Sequence, residues 1–207
     1  MSRECKHVTE QEQFWAGEFG SEYISRNNDA SIVQCNQLLF SKIFKRPMSS
    51  LIEFGANIGL NLKALQSLFP QADLAAIEIN AHAAAKLKEQ NFEVFQESIL
   101  EFEIKRQYEV TLSKGVLIHI NPDYLPEVYD TLYNVSSRYI CLVEYYNPVP
   151  VEVSYRGHEA RLFKRDFAGE MLERFSDLTL ADYGFAYRHD PVAPQGDLTW
   201  FLLEKSR

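Results

Sequence analysis

Leu51–Asn61 reads LIEFGANIGLN: a short apolar run, two closely spaced glycines, then the start of a helix-like pattern. A buried strand that passes through a glycine turn into a helix opens a parallel α/β unit, and the turn is where backbone can meet a ligand. The alternation continues outward from it. Ser50–Phe54 is apolar and stops at Gly55, and Gly59–Phe69 has apolar residues at helical spacing before Pro70. Asp73–Ile79 reads as a buried strand and Ala81–Gln90 as a helix of good helix formers. Phe92–Gln96, Tyr108–Leu112 and Arg138–Tyr145 are strand candidates. Pro122–Val135 reads as a helix with prolines near its start, and Asp166–Phe175 as a helix capped by Asp166.

The tail breaks the pattern. Leu178–His189 and Asp197–Glu204 both read as strands, and the DPVAPQG segment between them leaves no room for a helix. They should pair antiparallel as a hairpin. The expected fold is therefore α/β and Rossmann-like: three layers, with a seven-stranded, mostly parallel sheet that ends in a C-terminal antiparallel hairpin. Residues 49–207 form that single domain. Residues 1–48 form a helical-looking extension whose segment EQFWAGEFGSEYISRNN reads as a lid.

Composition narrows the function classes. The chain has 207 residues, 46% hydrophobic and 24% charged, with a formal net charge of -8. That is ordinary for a soluble domain and argues against nucleic acid as partner, since phosphate binding rests on Lys and Arg. Cys5, Cys35 and Cys141 are far apart with no C-x-x-C spacing, so neither a zinc site nor a disulfide framework is expected. No stretch has the length of a signal-peptide core or a membrane span. The expectation is a cytoplasmic monomer or homodimer with no metal, no membrane partner and no nucleic acid.

The glycine turn is not a P-loop, because no Lys-Ser/Thr follows Gly59. Nor is it a dinucleotide fingerprint, since Asn57 and Leu60 stand where the second and third glycines belong. What the residues do form is Glu-x-Gly-x-Asn-x-Gly, from Glu53, Gly55, Asn57 and Gly59. This resembles the first motif of class I S-adenosylmethionine-dependent methyltransferases. Asn57 departs from the usual middle glycine, but Asn is the side chain that best tolerates left-handed backbone.

The resemblance implies S-adenosylmethionine as cofactor, with Glu53 near its methionine amine. Glu78, at the end of the second strand, would hold the ribose. Ser98 and the Ile99 amide would lie by the adenine, where the family often has Asp. LSKGVLIHINPD resembles the family's segment after the fourth strand, with Leu117 and His119 matching and Ser113 placed with the cofactor residues. Trp15 of the lid would cover the cofactor, with packing against the sheet as the competing reading.

Five segments together are similar to a narrower group, the methylases associated with bacterial pseudaminic acid biosynthesis: FWAGEFGSEYISRN, LIEFGANIGLNLKAL, LSKGVLIHINPD, YYNPVPVEVSYRGHEARLFKRDFAGEML and DLTWFLLEK. This implies a small polar acceptor, a sugar or sugar nucleotide. Methyl transfer is an in-line displacement that needs alignment, and a general base only for a hydroxyl or protonated amine. His119 is the base candidate on pKa grounds, against a plain role in ordering its loop. Tyr146 and His158 join it as catalytic candidates. Lys114, Glu144, Asn147, Tyr155 and Arg156 are candidates for the acceptor, with Arg156 suited to clamp a carboxylate. Arg161, Lys164 and Arg165 form a basic cluster that either faces an anion or is simply solvated. Two rival functions stand beside this: methylation of a protein such as flagellin, and a non-catalytic cofactor-binding scaffold.

Overall fold

The computed structural model describes residues 9–26 and 29–206; Cys5, Asn27 and Asn28 lie outside them. The extension forms three helices, α1 (Glu10–Ala16), α2 (Glu18–Arg26) and α3 (Ala30–Ile43). Then come β1 (Ser50–Phe54), α4 (Leu60–Leu68), β2 (Asp73–Ile77), α5 (Ala81–Glu89), β3 (Glu93–Phe95), β4 (Tyr108–Lys114), α6 (Leu125–Val135) and β5 (Ser136–Glu144). After β5 the chain adds β6 (Val151–Glu152), β7 (Phe163–Lys164), α7 (Phe167–Arg174), β8 (Leu178–Ala186) and β9 (Leu198–Lys205).

Seven strands form one sheet in the order β3-β2-β1-β4-β5-β9-β8. The first five pair in parallel, and β9 joins β5 and β8 antiparallel. The hairpin and the three-layer architecture match the expectation. β6 and β7 form a separate antiparallel ribbon that the sequence pattern does not announce. It is only two residues per strand, too short for a hydrophobic period to register.

Successive strand residues point to opposite faces, which divides the core in two. Leu51, Val110, Leu112, Cys141 and Val143 pack with α3, α4 and α5. Ile52, Phe54, Ile140 and Leu142 pack with α6 and α7. The central parallel strands β1, β4 and β5 are buried on both sides over most of their length. The connection leaving β1 goes to β2 on one side, while β4 lies on the other. The strand order reverses there, so the carboxyl ends of β1 and β4 open a crevice.

Candidate functional site

Gly55, Asn57 and Gly59 all hold positive φ, at 67°, 48° and 79°. Three left-handed residues within five turn the chain from β1 into α4. The two glycines are also needed for packing: a Cβ on Gly55 would stand 2.8 Å from Val116 Cγ2, and one on Gly59 2.7 Å from Leu87 Cδ2. Asn57 adopts the same backbone without being glycine. Its amide donates to Glu78 Oε2 at 2.7 Å, while Glu78 Oε1 accepts from the Asn80 amide at 2.7 Å. The carboxyl of Glu78 therefore ties the end of β2 to the turn after β1.

Above this turn lies a cavity of about 270 Å³. Ile58, Ile79, Ile99, Leu100 and Val116 give it apolar walls. Glu78, Asn57, Gly55, Lys114, His119 and Trp15 also line it. The cavity thus gathers residues from the ends of β1, β2 and β4 and from the loop after β3. Among the described residues the Ile99 amide has no hydrogen-bond acceptor, whereas the Leu100 amide donates to Ser98 Oγ at 3.0 Å.

The extension closes the cavity. Thr9 caps α1 in a reciprocal box with Glu12. The Ser98 hydroxyl donates to the Glu12 carboxylate, and Asn80 Nδ2 donates to the Trp15 carbonyl and Ser21 Oγ, both at 3.2 Å. Asn80 Oδ1 meanwhile caps α5 through the His82 and Ala83 amides. One side chain thus fixes both the start of α5 and the end of α1. Trp15 lies 4.6 Å from the His119 ring, and its buried Nε1–H has no acceptor among the described residues.

His119 Nδ1 stands 2.6 Å from the Arg161 carbonyl, so Nδ1 carries the proton and Nε2 the lone pair. Burial against Trp15 and Tyr155 pushes its pKa down to about 4. The ring is neutral at physiological pH.

Several predicted site residues lie elsewhere. Glu53 is behind the cavity wall, where Asn61 Nδ2 donates to its Oε1 at 2.5 Å and burial raises its pKa to about 8. Glu144 and Ser113 are buried below the crevice. Glu144 Oε1 accepts from Ser113 Oγ (2.8 Å) and the Val116 and Leu117 amides (3.0 and 3.1 Å), so it braces the loop after β4. Ser98 is buried on Glu12, outside the cavity lining.

Tyr146, Asn147, Arg156 and His158 also stand outside the cavity. Tyr146 is exposed beside Phe201, and Asn147 Nδ2 donates to the Val149 carbonyl at 2.6 Å. Tyr155 and His158 close a tight turn through paired backbone bonds of 2.8 and 2.9 Å, with Arg156 at φ 51°. His158 packs on Phe14 and Tyr155 on His119, so this turn supports α1 and the histidine. The basic cluster is engaged locally: Arg161 over Phe14, Lys164 over Tyr145, Arg165 on Glu170 at 2.5 Å.

Gln11, Glu12, Tyr23, Asn36, Asn61 and Asn80 belong to the site or its support and were not read from the sequence. Only Asn80 had a visible signal, as the polar residue between Glu78 and an alanine-rich helix. Asn36 and Asn61 are joined at 2.7 Å, and Gln195 reaches Asn36 at 3.1 Å, which continues the chain of amides that ends on Glu53. No candidate cluster of metal ligands occurs among the described residues, and no described helix is long and apolar enough to cross a membrane.

No protein-family model matches the chain, and no curated protein matches it in sequence. Solved structures do match. The plantazolicin methyltransferase BpumL, in complex with S-adenosylhomocysteine (SAH) and a desmethyl analogue, is 15% identical with a TM-score of 0.65, covering 95% of each chain. Magnesium protoporphyrin IX methyltransferase from Synechocystis PCC 6803, with bound SAH, is 10% identical with a TM-score of 0.69, covering 94% of this chain and 98% of that one. The 1,6-didemethyltoxoflavin-N1-methyltransferase of Burkholderia thailandensis, also with SAH, is 12% identical with a TM-score of 0.68, covering 95% and 87%. Together with the strand order, these likenesses establish that the chain has the Rossmann-like fold of class I methyltransferases.

Proposed function

We propose that the protein is an S-adenosylmethionine-dependent methyltransferase acting in the cytoplasm on a small polar acceptor, a sugar or sugar nucleotide of pseudaminic or related nonulosonic acid biosynthesis. The observation that carries the cofactor is the left-handed turn Gly55-Asn57-Gly59 bonded to Glu78 under a cavity at the switch between β1 and β4. The donor set fits the group. Each Glu78 oxygen accepts one backbone amide and keeps a lone pair for a ribose hydroxyl. The Ile99 amide is open to a ring nitrogen, and the isoleucines and Leu100 offer flat apolar walls to a purine.

When bound, the cofactor supplies an electrophilic methyl group. The chain's own residues exclude water with α1 and α2 and align the acceptor. His119 Nε2 would accept the acceptor's hydroxyl proton, with its Nδ1–H held on the Arg161 carbonyl. The acceptor class is supported by the long segment Tyr145–Leu172, whose pattern is the most specific part of the resemblance.

Titration calorimetry with SAH tests the cofactor: near-stoichiometric binding is expected, and silence at millimolar ligand with folded protein sinks the proposal. Labelled cofactor incubated with cell extract tests the acceptor. Label in small sugars is expected; label confined to protein bands overturns the sugar reading.

A further inference from the structure

Lys114 is the last residue of β4 and borders the cavity. It is half-buried, yet its ammonium makes no hydrogen bond and no ion pair among the described residues. Nor is the nitrogen sealed among protein atoms, so the space it meets is that cavity. Two carboxyls act on it electrostatically, Glu53 and Glu144, and both are engaged elsewhere. Glu53 Oε1 takes the Asn61 amide, and Glu144 Oε1 takes Ser113 and the loop amides. Their second oxygens are buried without a partner, so neither reaches Lys114. A cation withdrawn from water without a counter-charge is costly, and an anion entering the cavity removes that cost.

The Glu53 side of the cavity presents hydrogens to a ligand. Asn36 and Asn61 line the same cavity. Gln195 occupies Asn36 Oδ1 and Asn36 occupies Asn61 Oδ1, while each Nδ2 donates once and keeps a second N–H. Glu78 stands on the other side at the end of β2, two strands away and roughly 10 Å across the crevice. The cavity is therefore polarised, with a carboxylate to accept hydroxyl groups at β2 and a cation with amide donors at β4. We propose that Lys114 holds a carboxylate in this cavity, an inference that rests on the cofactor reading above. Two ligands of that reading carry the group: the cofactor, at its amino-acid end, and an acidic-sugar acceptor.

Calorimetry on wild type and Lys114→Met, which keeps an unbranched stem and removes the charge, separates the two sources. Each acid is compared with its own methyl ester: SAH on the free protein, and N-acetylneuraminate on the SAH complex. Wild type should favour one acid over its ester by about 10–100-fold, and Lys114→Met should erase that preference. Erasure with SAH assigns the carboxylate to the cofactor; erasure with N-acetylneuraminate assigns it to the acceptor. Methylthioadenosine, which has the nucleoside and no carboxylate, should bind both proteins alike and so reports that the variant keeps its site. If Lys114→Met does not bind it, Lys114→Gln takes its place. An acid–ester preference that survives removal of the charge, or no preference for either acid in the wild type, overturns the inference. Methylthioadenosine that fails to bind the wild type overturns the cofactor reading itself, and the inference with it.

Discussion

Replacing Glu53 with glutamine should raise stability, and should do so increasingly as pH rises. Glu53 is 1% exposed in β1; its Oε1 accepts from Asn61, and its Oε2 has no partner among the described residues. Burial lifts its pKa from 4.5 to about 8, against the pull of Lys114 on the neighbouring strand. Between those values the folded chain holds a proton that the unfolded chain has released, so stability falls as pH increases, by about 1.4 kcal/mol per pH unit. Over about pH 5.5 to 8 this comes to roughly 3 kcal/mol. The amide introduced by Glu53→Gln has no such proton and keeps an oxygen for Asn61. Urea unfolding followed by circular dichroism, on wild type and Glu53→Gln at both pH values, isolates Glu53 together with the groups coupled to it, Lys114 and Glu78, because the remaining titrations cancel in the difference. The variant should gain roughly 3 kcal/mol relative to wild type across that range. A difference that stays constant with pH, or a variant that loses ground as pH rises, would refute the reasoning. Either result would mean that Glu53 is ionised and paired with Lys114, and that the amide leaves a buried ammonium uncompensated.

The remaining predictions concern the turn, the lid and the base. His119→Ala should lower methyl transfer by about 10²–10⁴-fold while SAH affinity by calorimetry changes little, as expected for a proton acceptor that does not hold the cofactor. Because burial keeps the His119 pKa at about 4, Nε2 stays unprotonated through neutral pH, and kcat/KM of the wild type should fall only in an acid limb near that value. A limb near the ordinary histidine value of 6.5 would disconnect His119 from the reaction. Asn57→Val should cost about 1–2 kcal/mol in thermal unfolding, since a β-branched residue is forced to positive φ, whereas Asn57→Gly should be near neutral. Asn80→Ala should cost about 1 kcal/mol through its lost helix cap and, by releasing the Trp15 carbonyl and Ser21, should speed proteolytic cleavage within α1 and α2.

The parallel sheet was legible because its central strands β1, β4 and β5 are buried on both faces over most of their length. Ser50–Phe54 was read with its observed boundaries, and the hairpin followed from a connection too short for a helix. The turn at the head of the crevice was legible for a related reason: Gly55, Asn57, Gly59 and Glu78 act through backbone conformation and strand position, which leave marks at fixed spacing. Glu53, Ser113 and Glu144 sit at the same strand ends, yet the pleat turns them into the interior, where Asn61 bonds one oxygen of Glu53, and Ser113 with the amides of the next loop bonds one oxygen of Glu144. Chain position located the crevice but not which face of each strand borders it.

The far side of the cavity was illegible because its contacts join segments remote in sequence. Gln11 Nε2 donates to the Ala160 carbonyl at 3.0 Å, Arg161 lies over Phe14, and His158 meets both Phe14 and Phe19. The Arg161 carbonyl next in line is the one that fixes the His119 tautomer. Polar and aromatic residues that read locally as a substrate-binding loop also form the seam between α1 and the chain after β6. Their density accompanies the seating of the helical extension on the sheet domain. The seam also joins α1 to His119. The carbonyl that orients His119 belongs to the same two residues that receive Gln11 and Phe14, so the packing of α1 and the orientation of the proposed base rest on one set of contacts.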